Sequence, residues 1–223
     1  MNRVVTRETF RRHVTNPAFL SFAAFLVIVT LGFSQFDRPA AAWPGLIVLL
    51  AIVAGAGLIG PELSSGRLQL ILVKPVSHSA YLLARVGGVV LVVWAAAILA
   101  AVCELAGRAF GYAEEIGAAL MNVMYEAVLI VALLALLGSI TRAYYNVVIY
   151  FALQILLAIL GGFAQRLPAA VNTAVAAVDR NLFPEAPARV DPEWILLVAC
   201  NAMIALVLAC LAFRRREVPY GAE

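Results

Sequence analysis

Residues Tyr81 to Ala106, YLLARVGGVVLVVWAAAILAAVCELA, decide how the rest of the chain is read. The run is 26 residues long, and only Arg85 and Glu104 in it are charged. A hydrocarbon core of about 30 Å is crossed by roughly 20 apolar helical residues, so this stretch is long enough to span a bilayer. Five more blocks qualify on the same ground: Pro17 to Ser34, Trp43 to Gly60, Ile116 to Ile140, Tyr144 to Ala164 and Trp194 to Phe213. The expected fold class is therefore an all-α integral membrane protein with six transmembrane helices. The membrane domain covers residues 17–213, with spans at 17–34, 43–60, 81–106, 116–140, 144–164 and 194–213. A basic segment, 1–16, precedes it and a short tail, 214–223, follows.

Composition points the same way. The 223 residues are 64% hydrophobic and 13% charged, with mean hydropathy +0.97, against about 45–50% apolar and about 25% charged in soluble domains. Charge this scarce does not cover a water-facing surface. The longest stretch between spans, Gln165 to Glu193, has 29 residues, too few to bury a core of its own. Aqueous catalysis in a separate domain is thereby excluded. Cys103, Cys200 and Cys210 sit within or beside spans and form no C-x-x-C or Cys/His pattern, so neither a metal site nor a disulfide framework is expected. Arg11 and Arg12, an apolar run and then Ala40-Ala41-Ala42 imitate a signal peptide. The run is long for an h-region and the alanines lie far beyond its end, so the first span is expected to be retained.

Positive charge orients the spans. With the N-terminus inside, Arg3, Arg7, Arg11, Arg12, Arg67, Lys74, Arg85, Arg142 and Arg214 to Arg216 fall on the inner side, 11 of the 16 basic residues. Arg38, Arg108, Arg166, Arg180 and Arg189 fall outside, with most of the acids. Both termini are expected to be cytoplasmic. The net charge of +3 reflects topology and offers no reason to expect nucleic acid as a partner.

Between the spans, three segments carry pattern. Arg3, Arg7 and Arg11 recur every fourth residue before the first span, which reads either as a basic helix on membrane lipid or as an ordinary positive-inside tail. Asn16-Pro17 then supplies a cap and first-turn proline. Pro61 to Ala80 is the largest inner loop and has an apolar side in Leu68, Leu70, Ile71 and Leu72. Such a segment needs something to pack against at the cytoplasmic face. Outside, Val171, Val175, Val178 and Leu182 follow helical spacing, and a helix there would lie on the outer leaflet.

Gly55 to Gly60 spells G-x-G-x-x-G, but the dinucleotide fingerprint needs a preceding strand and a following helix. At the end of an apolar span, small residues that let two helices approach closely are the better account. No Walker A pattern occurs. Polar residues at membrane depth are costly and usually purposeful. Asn122 and Glu126 share one face of the fourth span, and Asn146, Tyr150 and Gln154 form a stripe on the fifth. They read as a polar lining for a substrate path or as interhelical hydrogen bonds. Glu104 and Arg108, four apart, read as a local ion pair.

The stretch Pro61 to Arg85 resembles the signature segment of the ABC transporter type-2 permease family. That family carries Glu, Gly four residues on, a leucine-rich run, Pro nine residues after the Gly, a V-S-basic turn and a basic residue in the next span. Here these are Glu62, Gly66, Leu68 to Leu72, Pro75, Val76-Ser77-His78 and Arg85. Arg67, Gln69 and His78 depart from the family's small hydroxyl residue, Glu and Arg. Six spans, internal termini, an N-terminal surface helix and an outer helical segment also match.

The resemblance implies half of an exporter's pathway in the cell (inner) membrane, paired with a second permease copy or a homologous permease. Separate ABC-type ATPase subunits, carrying ATP and Mg that this chain does not itself hold, would grip the coupling residues Glu62, Gly66, Arg67, Leu72, Pro75, Ser77, His78 and Arg85. His78 would be a contact residue there, with a pH sensor as the alternative. Two competing readings are a secondary transporter or channel without an ATPase, and a permease-like subunit passing ATPase motion to an external partner. An intramembrane enzyme would need paired acids or a metal motif, and the sequence offers neither.

Overall fold

The computed structural model describes residues 3–35, 42–58, 77–110, 112–141, 144–163, 168–187 and 189–215. Among them the chain forms eight helices and no strand. In chain order these are α1 (Arg3–Val14), α2 (Pro17–Phe33), α3 (Trp43–Ala56), α4 (His78–Gly107), α5 (Ala113–Ile140), α6 (Tyr145–Gly162), α7 (Ala169–Leu182) and α8 (Pro192–Arg215).

Local chemistry explains the boundaries. Asn16 is extended, and its Oδ1 accepts a hydrogen bond from the Ala18 amide at 3.0 Å, while Pro17 opens α2. An extended capping residue followed by proline cannot continue the preceding helix, so α1 and α2 meet at a bend of 65°. Ser77 caps α4 in the same manner, its Oγ accepting from the Ala80 amide at 3.3 Å. Glu114 and Glu115 occupy the first turn of α5, and Arg214 and Arg215 the last turn of α8, each sign complementing the helix dipole.

Four helices are long and apolar enough to cross a membrane: α4, α5, α6 and α8. A fifth is reached if the bent pair α1 and α2 is taken together. This is fewer than the six full spans expected. Alone, α2 has 17 residues and α3 has 14, about 25 and 21 Å at 1.5 Å per residue. The Asn16–Pro17 break sets the start of α2, and α3 gives way at Gly57. The remainder of the expected second span, Ile59 and Gly60, lies outside the described residues. So do 36–41, most of the connection between α3 and α4 (59–76) and the tail from Arg216.

The long α5 is the hub. It packs against α8, α4 and α3, and more lightly against α6. Its contact faces are built from small residues: Ala96, Ala97, Ala100 and Ala101 of α4 and Ala127 and Ala135 of α5 are all buried. Lipid supplies no hydrophobic drive between helices, so close packing through small side chains takes that place. Gly55 illustrates it: a Cβ there would come within 2.7 Å of Leu134 Cδ1 on α5. From α8 one row faces inward, Trp194, Val198, Ala202, Ala205, Ala209 and Phe213. By contrast α6 buries only Asn146, Tyr150 and Leu157, and α7 buries nothing while resting on α6 and α8.

Candidate functional site

One end of the bundle gathers the N-terminal helix, the α3–α4 connection and the end of α8. Arg85, buried on α4, donates from Nε to the Leu58 carbonyl at 3.3 Å and from Nη1 to Thr9 Oγ1 at 3.3 Å. Leu58 is the last described residue before the inner loop, and Thr9 belongs to α1. One turn further along α4, Gly88 lets α1 approach: a Cβ there would lie 2.6 Å from Thr9 Cβ and 3.0 Å from the Thr6 carbonyl. Thr6 and Thr9 are accordingly buried, while Arg3, Arg7, Arg11 and Arg12 of α1 are exposed. His78, in the first turn of α4, meets Phe213 of α8 edge-on with ring centroids 5.7 Å apart. Both flanks of residues 59–76 are therefore tied to α1, α4 and α8.

Of the residues expected to grip an ATPase, Ser77, His78 and Arg85 fall within this junction. Glu62, Gly66, Arg67, Leu72 and Pro75 lie outside the described residues. Thr9 carried no signal in the sequence beyond its place opposite the arginines; its role appears only when Arg85 is seen to reach it.

At the other end of the bundle, Glu104 and Arg108 form an ion pair at 2.9 Å with both side chains almost fully enclosed. The pair reaches well beyond its own helix. Glu104 Oε2 accepts from Trp43 Nε1 at the start of α3 (2.5 Å), and Arg108 Nη2 donates to the Phe33 carbonyl at the end of α2 (3.4 Å). Arg108 also lies over the Tyr112 ring, 5.4 Å from its centroid. Ala109, Phe110 and Tyr112 all have positive φ (49°, 64° and 62°), a conformation uncommon for non-glycine residues. This tight α4–α5 turn is held by Arg108 and by the Phe110 amide on the Leu105 carbonyl at 2.8 Å.

The polar residues of α5 and α6 occupy distinct settings. Asn146 is wholly buried, its Nδ2 donating to the carbonyls of Ala56 (3.4 Å) and Leu134 (3.3 Å), so it joins α6 to α3 and α5. Asn122 is buried and donates to the Pro187 carbonyl at 2.7 Å, holding the loop before α8. Tyr150 is buried against Phe183 and accepts a hydrogen bond from Gln154 Nε2 at 3.4 Å. Glu126 itself is half-buried. Asn146 thus joins helices and Asn122 holds a loop, whereas Tyr150 and Gln154 pair along α6.

Two cavities adjoin these elements. One, of about 600 Å³, is lined by Asp179, Arg180, Phe183, Glu185, Asp191 and Glu193 among others, between α7 and the start of α8. A second, of about 430 Å³, lies at the α1–α2 bend, with His13, Asn16 and Tyr144 above apolar walls from Phe19, Phe22, Leu50 and Val53. Among the described residues no three His, Cys, Asp or Glu side chains group as metal ligands, and all three cysteines are free.

The class that the fold defines is an all-helical chain compatible with multiple crossings of a membrane. No family model matches the sequence, and no curated protein matches it.

Proposed function

We propose that the chain is the permease subunit of an ATP-driven exporter, crossing the cell (inner) membrane six times with both termini cytoplasmic. On this reading separate ABC-type ATPase subunits bind the segment 61–80, and a second permease, identical or homologous, supplies the other half of the pathway. The supporting observation is the Arg85 junction. A push on residues 59–76 is delivered at Leu58 and His78, and one buried guanidinium links that point to α1, α3 and α4, with α8 joined through Phe213. A rigid link between helices that can repack in two ways is what coupling to an ATPase requires. Glu126 of α5 and Tyr150 and Gln154 of the sparsely covered α6 are the residues assigned to the pathway.

The test is co-purification of the chain with its ATPase, followed by ATPase and transport rates in the same reconstituted vesicles. Gly66→Leu and Pro75→Ala are expected to insert normally and to retain ATP hydrolysis while transport falls about ten-fold or more. If the unmodified chain transports without ATP, it is a secondary transporter.

A further inference from the structure

A groove of about 530 Å³ runs between α1 and the outward side of α4, lined by Thr6, Arg7, Phe10, Leu91, Trp94, Ala95 and Ile98. Apart from Arg7 and Thr6 its walls are apolar. We propose that this groove holds one anionic phospholipid, its phosphate on Arg3 and Arg7 and an acyl chain along Leu91, Trp94, Ala95 and Ile98.

Depth is the first argument. The 30 residues of α4 run about 45 Å, so about ten residues extend beyond a core of ~30 Å. The crossing point of α1, at Gly88, comes ten residues after His78. The remainder of α4 then matches the core, and α1 lies at its boundary. Leu91 to Ile98 sit roughly 5 to 15 Å deeper than Gly88, the depth of acyl chain in a single leaflet.

Charge is the second. On α1, Arg11 and Arg12 share Glu8, at 3.7 and 3.0 Å, whereas Arg3 and Arg7 have no acidic partner among the described residues. Both are exposed and one turn apart on α1, and Arg7 itself lines the groove. A guanidinium pair is the donor set suited to phosphate, and a zwitterionic headgroup offsets that attraction with its own cation. Rigidity is the third: Trp94 Nε1 donates to the Met124 carbonyl at 3.0 Å, so the groove wall is fixed before a lipid arrives. Bound there, the lipid would hold α1 against Gly88 and so stabilise the Thr9–Arg85 contact.

Trp94 is a built-in probe. The full chain is reconstituted in phosphatidylcholine vesicles containing either brominated phosphatidylglycerol or brominated phosphatidylcholine, and tryptophan quenching is followed. A basic residue near an anionic surface contributes about five-fold in binding, so the anionic lipid should be preferred several-fold. That preference should vanish in R3Q/R7Q, return in R3K/R7K and be lost in Trp94→Phe. Arg12→Gln, which removes the same charge from the same helix, should keep it. Unchanged quenching by brominated phosphatidylcholine in every arginine variant establishes that the bundle remains folded. The proposal fails if both lipids quench equally, if Arg12→Gln abolishes selectivity as fully as R3Q/R7Q, or if neither lipid quenches Trp94 because a second copy covers the groove.

Discussion

Glu104 and Arg108 show how much a single side chain can hold. Their i, i+4 spacing makes the ion pair legible in the sequence, but Trp43 lies 61 positions away and no local pattern links it to Glu104. Enclosed charges stand in place only while each has its partner, and removing one member costs about 3–5 kcal/mol, whereas replacing both with apolar groups is far less damaging. Arg108→Leu is therefore expected to lower the thermal stability of the purified protein sharply, and Glu104→Leu with Arg108→Leu to recover most of it. Thermal unfolding in detergent measures this. Equal loss in the single and double variants would show that the pair contributes through shape alone. The same limit on local pattern applies to Asn146 and Tyr150. Their shared stripe is visible as spacing, yet only the packing separates an asparagine bonded to Ala56 and Leu134 from a tyrosine set against Phe183.

Among the elements, α1 depends most on one contact. It carries four exposed arginines and buries only Thr6 and Thr9. In sequence it reads equally as a surface helix or as a positive-inside tail. Its seat on α4 follows from Gly88, where no side chain blocks approach, and from the reach of Arg85. A methyl group at Gly88 would meet Thr9 Cβ and backbone, whereas one at Gly55 would meet the Leu134 side chain, nearest at its Cδ1 end. Gly88→Ala should therefore loosen α1 and Gly55→Ala should be mild, within the ~1–3 kcal/mol range of overpacking. Hydrogen exchange of residues 3–14 is the readout. Exchange should rise at least several-fold in Gly88→Ala and in Arg85→Ala, with residues near Leu58 following only in the latter. If Arg85→Ala leaves both regions protected, the junction is not the link that the coupling proposal needs.

For the whole molecule, the packing brings Thr9, Leu58, His78 and Phe213 to one end and Phe33, Trp43 and Glu104 to the other. The positive charges expected on the inner side flank the first of these ends. Single cysteines introduced in the 61–80 loop and at Glu223, in a background lacking Cys103, Cys200 and Cys210, should react with an impermeant maleimide only from the cytoplasmic side. Cysteines at Asp179 or Glu185 should react only from outside. Labelling of the loop and of Glu185 from the same side would overturn both the orientation and the coupling proposal.

Sequence alone carries an all-helical chain of long apolar segments and the Asn16–Pro17 start, because hydrophobic run length and capping chemistry act over a few neighbouring residues. Only the packing of distant segments makes α5 the hub and lets Arg85 join α1 to Leu58, just past α3. Those outcomes depend on which small residues meet across helices and on how far a buried guanidinium can reach. Such contacts connect positions tens of residues apart, and in an almost uniformly apolar chain the local pattern hardly distinguishes a face that meets a helix from one that meets lipid.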